Sequence, residues 1–286
     1  MKPYRFAGQT AVLTGAASGI GEHLAYGLAA RGSDLVLVDV DEARLTPVAD
    51  RIRGAHPGLA VRTVVADLAD RSTVEALAAG ILADHPRVGL LINNAGIALG
   101  GRFDQVSVEQ FETVMNVNFR APMLLTHALL PALSTGSHLV NVSSLFGLIA
   151  PPGQSAYSAS KFALRGLSES LRAELAENGI GVTTVHPGGI RTRIAESALV
   201  GVSVPEKEIE PNRKLFAALL SFPPDKAAEQ ILRAIASRQA RLLISTSAKI
   251  PDILARLLPV GHARIMRTLT TASASRSGSA RPVVRR

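Results

Sequence analysis

The sequence predicts an α/β protein, a doubly wound parallel sheet with helices on both faces. Three observations carry that reading. A β-rich run, Thr10 to Thr14, enters a glycine loop, Gly15-Ala-Ala-Ser-Gly-Ile-Gly21, and then helical sequence. Strand-like and helical stretches go on to alternate six times, the signature of successive βαβ units. Residues able to do chemistry follow the strand ends, at Asp39, Asp67, Asn93–Gly96, Ser144 and Pro187–Thr192. Right-handed crossovers bring the strand C-terminal ends to one edge, so these residues converge there.

The first unit has the geometry that binds a phosphate. Glycines let the backbone approach, and free N–H groups at the helix start face the anion. The spacing Gly-x-x-x-Gly-x-Gly departs from the general Gly-x-Gly-x-x-Gly fingerprint; alone, it reads equally as a tight turn. Asp34–Asp39 is the second strand. Asp39 lies where a dinucleotide fold puts a carboxylate to accept from the adenosine ribose. A carboxylate there repels a 2′-phosphate, and Ala17, Ser18 and Val40 offer no cation, so NAD is favoured over NADP. The plainer reading is a strand-ending acid, with Asp41 capping the next helix.

Residues 41–53 read as a helix with Pro47 its weak point. Val61–Ala66 is the third strand and Ser72–Asp84 the next helix. Val88–Ile92 is the fourth strand, running into Asn93-Asn-Ala-Gly96. Residues 107–133 are helical, with Asn116 and Asn118 inside. Asparagine costs helix propensity, so these mark a kink or a polar task, unless they are merely exposed. His138–Val142 is the fifth strand and leads to Ser144. Residues 154–177 form a helix, and Ile180–Val185 the sixth strand, ending in His186-Pro-Gly-Gly-Ile-Arg-Thr192.

Tyr157 and Lys161 are one helical turn apart and rise from one face. An ammonium beside a phenol favours the phenolate and lowers its pKa. Such a phenol can exchange a proton with an alcohol or carbonyl oxygen. Ser144 precedes a run that can turn back and present its hydroxyl to the same oxygen. Tyr-x-x-x-Lys alone is weak, and a surface pair on an amphipathic helix is the bland alternative.

Composition sets further bounds. The 286 residues are 47% hydrophobic and 19% charged, enough for a sizeable core. With no cysteine, disulfides and thiolate metal sites are excluded, which suits a reducing, cytoplasmic setting. The histidines are scattered without ligand spacing, so no metal is expected. No apolar run approaches the roughly 18 residues of a membrane span, and no signal-peptide pattern follows Lys2 and Arg5. The net charge is +8, but residues 253–286 hold seven arginines and no acid. Setting these aside leaves +1 for residues 1–252, which argues against a nucleic-acid-binding core.

Taken together, the motifs resemble the short-chain dehydrogenase/reductase (SDR) family. Thr14-Gly-Ala-Ala-Ser-Gly-Ile-Gly21, Asn93-Asn-Ala-Gly96, Ser144, Tyr157-x-x-x-Lys161 and Pro187-Gly188 with Thr192 match that family in order and spacing, over about residues 8–195. The resemblance implies a single Rossmann-type domain, residues 1–247, with a seven-stranded parallel sheet; Arg241–Ser245 is the candidate seventh strand. It implies Tyr157 as general acid/base, Lys161 tuning it and binding the nicotinamide ribose, and Ser144 holding the substrate oxygen. Asn118, in preference to Asn116, would support a water relay from Lys161. The cofactor would be held by Gly15, Ser18, Gly19, Ile20, Gly21 and Asp39. Asp67 and Leu68 would contact adenine. Asn93, Ala95 and Gly96 would line the adenosine and ribose side, and Ile190 and Thr192, after the Pro187-Gly188 turn, the nicotinamide carboxamide. His186 is a neighbour of the site and not its base. A homodimer or homotetramer is also implied.

Residues 193–222 would form the family's substrate lid. Their apolar content, from Ile194 to Phe222, suggests a steroid-, retinoid- or acyl-like substrate, or simply packs the lid down. The expected activity is an NAD(P)-dependent oxidoreductase that interconverts a secondary alcohol and a ketone. The competing reading is a non-catalytic dinucleotide sensor or scaffold, which would not need Ser144, Tyr157 and Lys161 together. Ile250, Ile253, Leu254, Leu257 and Leu258 form a helical stripe in an amphipathic helix expected over 248–270. It would pack on the domain or a subunit partner, or lie on an anionic membrane. Residues 271–286 are expected to be a disordered basic tail.

Overall fold

Along the central strands of the sheet, neighbouring side chains belong to opposite cores. Ala11, Leu13, Leu35, Leu37, Leu90 and Ile92 pack into one apolar cluster. Val12, Val36, Val38 and Leu91, the residues between them, pack into another. A strand with two buried faces is the mark of a parallel sheet covered on both sides.

The computed structural model describes residues 1–261 of the chain. The sheet strands, numbered along the chain, are β1 (Thr10–Thr14), β2 (Asp34–Asp39), β3 (Val61–Val65), β4 (Leu90–Asn93), β5 (His138–Val142), β6 (Gly181–Pro187) and β7 (Arg241–Ile244). They lie in the order β3-β2-β1-β4-β5-β6-β7, all parallel. The order reverses between β1 and β4, the crevice where open α/β sheets bind ligands. This is the single Rossmann-type sheet that the resemblance implied.

Helices α1 (Gly19–Ala29), α2 (Glu42–Ala55) and α3 (Arg71–Asp84) each leave a strand. Asp41 and Asp70 cap α2 and α3 by accepting from Arg44 N and from Ser72 N and Thr73 N. α2 runs unbroken through Pro47. The helical stretch after β4 is divided. α4 (Val108–Met115) passes into a π turn, Asn116–Arg120, before α5 (Ala121–Leu129). The kink expected at the asparagines is therefore a π-bulge, a feature frequent at functional sites.

α6 (Ser155–Ala176) carries Tyr157 and Lys161 between β5 and β6. A lid follows β6. It contains a short strand, Leu199–Val200, paired with Leu99–Gly100, then α7 (Glu206–Ala218). α8 (Pro224–Ala236) packs on α1, where Gly27 meets Leu232 closely.

α9 (Thr246–Leu257) is shorter than the expected 248–270 helix, and its buried residues are Ala248, Pro251 and Asp252. Ile250, Ile253 and Leu257 are exposed. Among the described residues, Ile250, Ile253 and Leu257 therefore face away from the domain, and the buried acid on the opposite face pairs with Arg241. The rest of the expected helix past residue 261, and the basic tail 271–286, lie outside the described residues.

Candidate active site

The glycine loop is squeezed between the exits of β4 and β6. Gly15 and Gly19 have φ of +68° and +57°, where side chains are strained. A Cβ on Gly15 would lie 2.8 Å from Ala95 Cα, and one on Gly19 2.8 Å from Thr192 Cγ2. Ser18 stands at the N-cap of α1, but its hydroxyl makes no capping bond. The first-turn N–H groups are thus left for an anion. Asp39, at the end of β2, accepts from Ala17 N at 2.9 Å and from Asp41 N at 3.1 Å. One carboxylate fixes both the loop and the start of the next turn.

At the other end of the same cleft, α6 is tied down by hydrogen bonds. Lys161 Nζ donates to the Val142 carbonyl at 3.0 Å. Ser143 Oγ donates to the Lys161 carbonyl at 2.9 Å, and Ser160 Oγ to the Tyr157 carbonyl at 2.7 Å. Asn118 spends its whole amide here. Its Oδ1 accepts from Ile97 N, and its Nδ2 donates to Ile97 O and Ser160 Oγ. Asn116, by contrast, accepts from Arg120.

Ser144 Oγ accepts from Phe146 N at 3.1 Å, and Phe146 meets the Tyr157 ring edge-on. Burial holds the Tyr157 phenol above its ordinary range, while a hydrogen bond with Ser144 works the other way. Burial pushes the Lys161 ammonium down to about 8. In the resting site burial thus outweighs the acidifying neighbour that the sequence leads one to expect. Lys161 Nζ lies 5.7 Å from the Tyr157 ring centre, and desolvation acts on both groups.

Both ends open into one cavity of about 900 Å³. It is lined by Gly15, Ser18, Gly19, Ile20, Asp39, Asp67, Leu68, Ala95 and Gly96, and across from them by Ser144, Tyr157, Lys161, Pro187, Gly188, Ile190 and Thr192. Three expected residues lie behind this lining. Asn118 is the clamp just described. A Cβ on Gly21 would fall 1.8 Å from the Gly15 carbonyl oxygen, so Gly21 closes α1 onto its own loop.

Asn93 is the third, and its expected place beside the adenosine is corrected. It points into the sheet's interior, donating to Thr126 Oγ1 and Asn141 Oδ1. Asn94 lines the cavity instead, donating to Thr14 O and Gly15 O. Arg44 also lines it, paired with Asp41 at 2.9 Å. Its position after an N-capping Asp is an ordinary helix pattern, so nothing in the sequence marked it. The apolar residues of the expected lid divide. Ile194, Phe216, Leu219 and Leu220 line the cavity, whereas Leu199 and Phe222 pack against apolar clusters of the body.

The fit to a nicotinamide dinucleotide is good. The close-approach glycines, the uncapped helix start and the carboxylate at the end of β2 are what such a cofactor requires. Among the described residues, no cluster of three His, Cys, Asp or Glu is placed to hold a metal.

Comparison with known proteins agrees. Residues 9–200 match the family model described as short chain dehydrogenase. SadH of Mycobacterium tuberculosis is 40% identical over 266 residues, covering 91% of this chain and 95% of its own length. An SDR from Burkholderia phymatum, solved with NAD, superposes with a TM-score of 0.79 at 29% identity, over 89% of this chain and 96% of its own. A short-chain dehydrogenase from Sphingobium yanoikuyae, solved with NADPH, gives 0.70 at 30% identity, over 97% and 98%.

Proposed function

This chain belongs to the short-chain dehydrogenase family, and from that premise we propose that it interconverts a secondary alcohol and a ketone on an apolar molecule, with NAD preferred to NADP. One observation carries the reading. Ser144, Tyr157 and Lys161 share a wall of the cavity whose far end is the glycine loop and Asp39.

A bound nicotinamide dinucleotide supplies the hydride donor or acceptor. Gly15, Ser18, Gly19 and Ile20 would hold its pyrophosphate, Asp39 its adenosine ribose, and Ile190 and Thr192 its carboxamide. Ser144 Oγ holds the substrate oxygen. In reduction, Tyr157 Oη gives a proton to that oxygen; in oxidation it takes one. The phenol that burial keeps protonated is the form that donates, so the resting side chain is ready for reduction. Lys161 stands behind it, and Asn118, clamped to Ile97 and Ser160, would support a water relay from Lys161.

The apolar side chains Leu145, Phe146 and Ile149 after Ser144, with Ile194, Phe216, Leu219 and Leu220 of the lid, support a steroid-, retinoid- or acyl-like substrate. The proposal extends to a cytoplasmic homodimer or homotetramer. It includes peripheral membrane contact through α9, whose apolar stripe faces outward. No helix among the described residues is long and apolar enough to cross a membrane.

The test is a panel of secondary alcohols and ketones followed by nicotinamide absorbance. Tyr157→Phe should cut kcat about 10²–10⁴-fold while cofactor binding persists. Near-normal turnover by the phenylalanine variant would refute the assignment, and a non-catalytic dinucleotide sensor would then become the better reading.

A further inference from the structure

His186 is fully buried on β6, one residue before the Pro187-Gly188 turn. β5 and β6 pair in register through Val142 and Val185. Ser143 N then donates to the Val185 carbonyl at 2.8 Å, and the next residue is Ser144. Its carbonyl oxygen lies 3.1 Å from His186 Nδ1. A carbonyl can only accept, so Nδ1 carries the proton. The same oxygen accepts from Gly147 N at 3.0 Å. Two donors therefore fix the peptide unit that bears the serine hydroxyl.

The rest of the ring agrees with this role. Nε2 is buried with no hydrogen-bond partner, as the bare nitrogen of the tautomer that Nδ1 selects. Burial pushes the imidazole down to about 4, so it is neutral near pH 7. A purely apolar side chain would fill the same space, but only an N–H at the Nδ1 position serves the Ser144 carbonyl.

We propose that His186 is a positioning residue that aims Ser144 at the substrate oxygen. This rests on the reading of Ser144, Tyr157 and Lys161 as the reacting set. His186→Leu, His186→Asn and His186→Gln are made in the full chain, each with Ser144 intact and with Ser144→Ala. Activity and cofactor Kd are measured for all. His186→Leu should lower kcat about 10–100-fold and leave the cofactor Kd within about twofold of the wild type. Asparagine, whose amide N–H falls near Nδ1, should recover most of the rate; glutamine, whose amide falls near Nε2, should not.

With Ser144→Ala, His186→Leu should cause no further loss, because it acts through a hydroxyl that is gone. Equal fold-losses in both backgrounds would show a general packing effect and overturn the proposal, as would full activity in His186→Leu. Should the leucine variant not fold, the Asn and Gln pair carries the same comparison. If Ser144→Ala alone costs nothing, the reading of the site itself fails. If it costs much while His186→Leu and His186→Gln cost nothing, only the positioning role fails.

Discussion

Lys161 offers a quantitative test that needs no substrate. It is 3% exposed, and burial lowers its pKa from 10.5 to about 8. That drop corresponds to about 3 kcal/mol between the two protonation states. The sign follows from proton uptake. Between pH 8 and 10.5 the unfolded chain binds more protons at this residue than the fold does, so stability rises with pH. Below pH 8 the fold carries the whole cost of an interior ammonium, and above 10.5 it carries none.

Lys161→Met removes the titrating group and also the donor to Val142 O, a loss worth about 1 kcal/mol at any pH. Urea unfolding of both proteins, without added cofactor, should be followed from pH 7 to pH 10.5. The wild type should gain about 3 kcal/mol on the methionine variant over that window. At pH 7 the methionine variant should be the more stable of the two. A constant offset across the range would show that Lys161 is not desolvated, and the account of its environment would fail.

Three further outcomes follow from the same geometry. Gly21→Ala drives a methyl into the Gly15 carbonyl and should weaken cofactor binding about 100-fold or more; calorimetry showing an unchanged Kd would contradict the packing described. Asn118→Leu strands the Ile97 N–H and C=O and should destabilise the fold by about 2 kcal/mol or more, read by chemical denaturation, where no change would refute the clamp. NADP should bind at least about tenfold more weakly than NAD, and Asp39→Ser should narrow that gap; tighter NADP binding by the unaltered protein would sink the role given to Asp39.

Order and periodicity made the sheet legible in the sequence. Each strand was visible as a β-rich run before a loop, and every expected cavity-lining residue but Gly21, Asn93 and Asn118 reached the cavity. What escaped depends on orientation. Asn93 and Asn94 are adjacent and chemically identical, and only the strand's alternation decides that Asn93 goes inward. Arg44 meets Asp39 and Val40 around the cleft because α2 folds back from β2, which no local pattern declares. Spacing put Tyr157 and Lys161 on one face, but could not say that this face was dry. The α9 stripe shows the converse. Its periodicity was plain, yet Asp252, set among apolar residues, took the buried face by pairing with Arg241.

The cleft draws its two walls from different stretches of chain. Residues between Gly15 and Gly96 line one wall, while residues drawn from Ser144 to Leu220 line the other. On the proposed reading, Phe216 or Leu219 can be redrawn, and the choice of alcohol with them, without touching Gly15, Asp39 or Gly96 on the opposite wall.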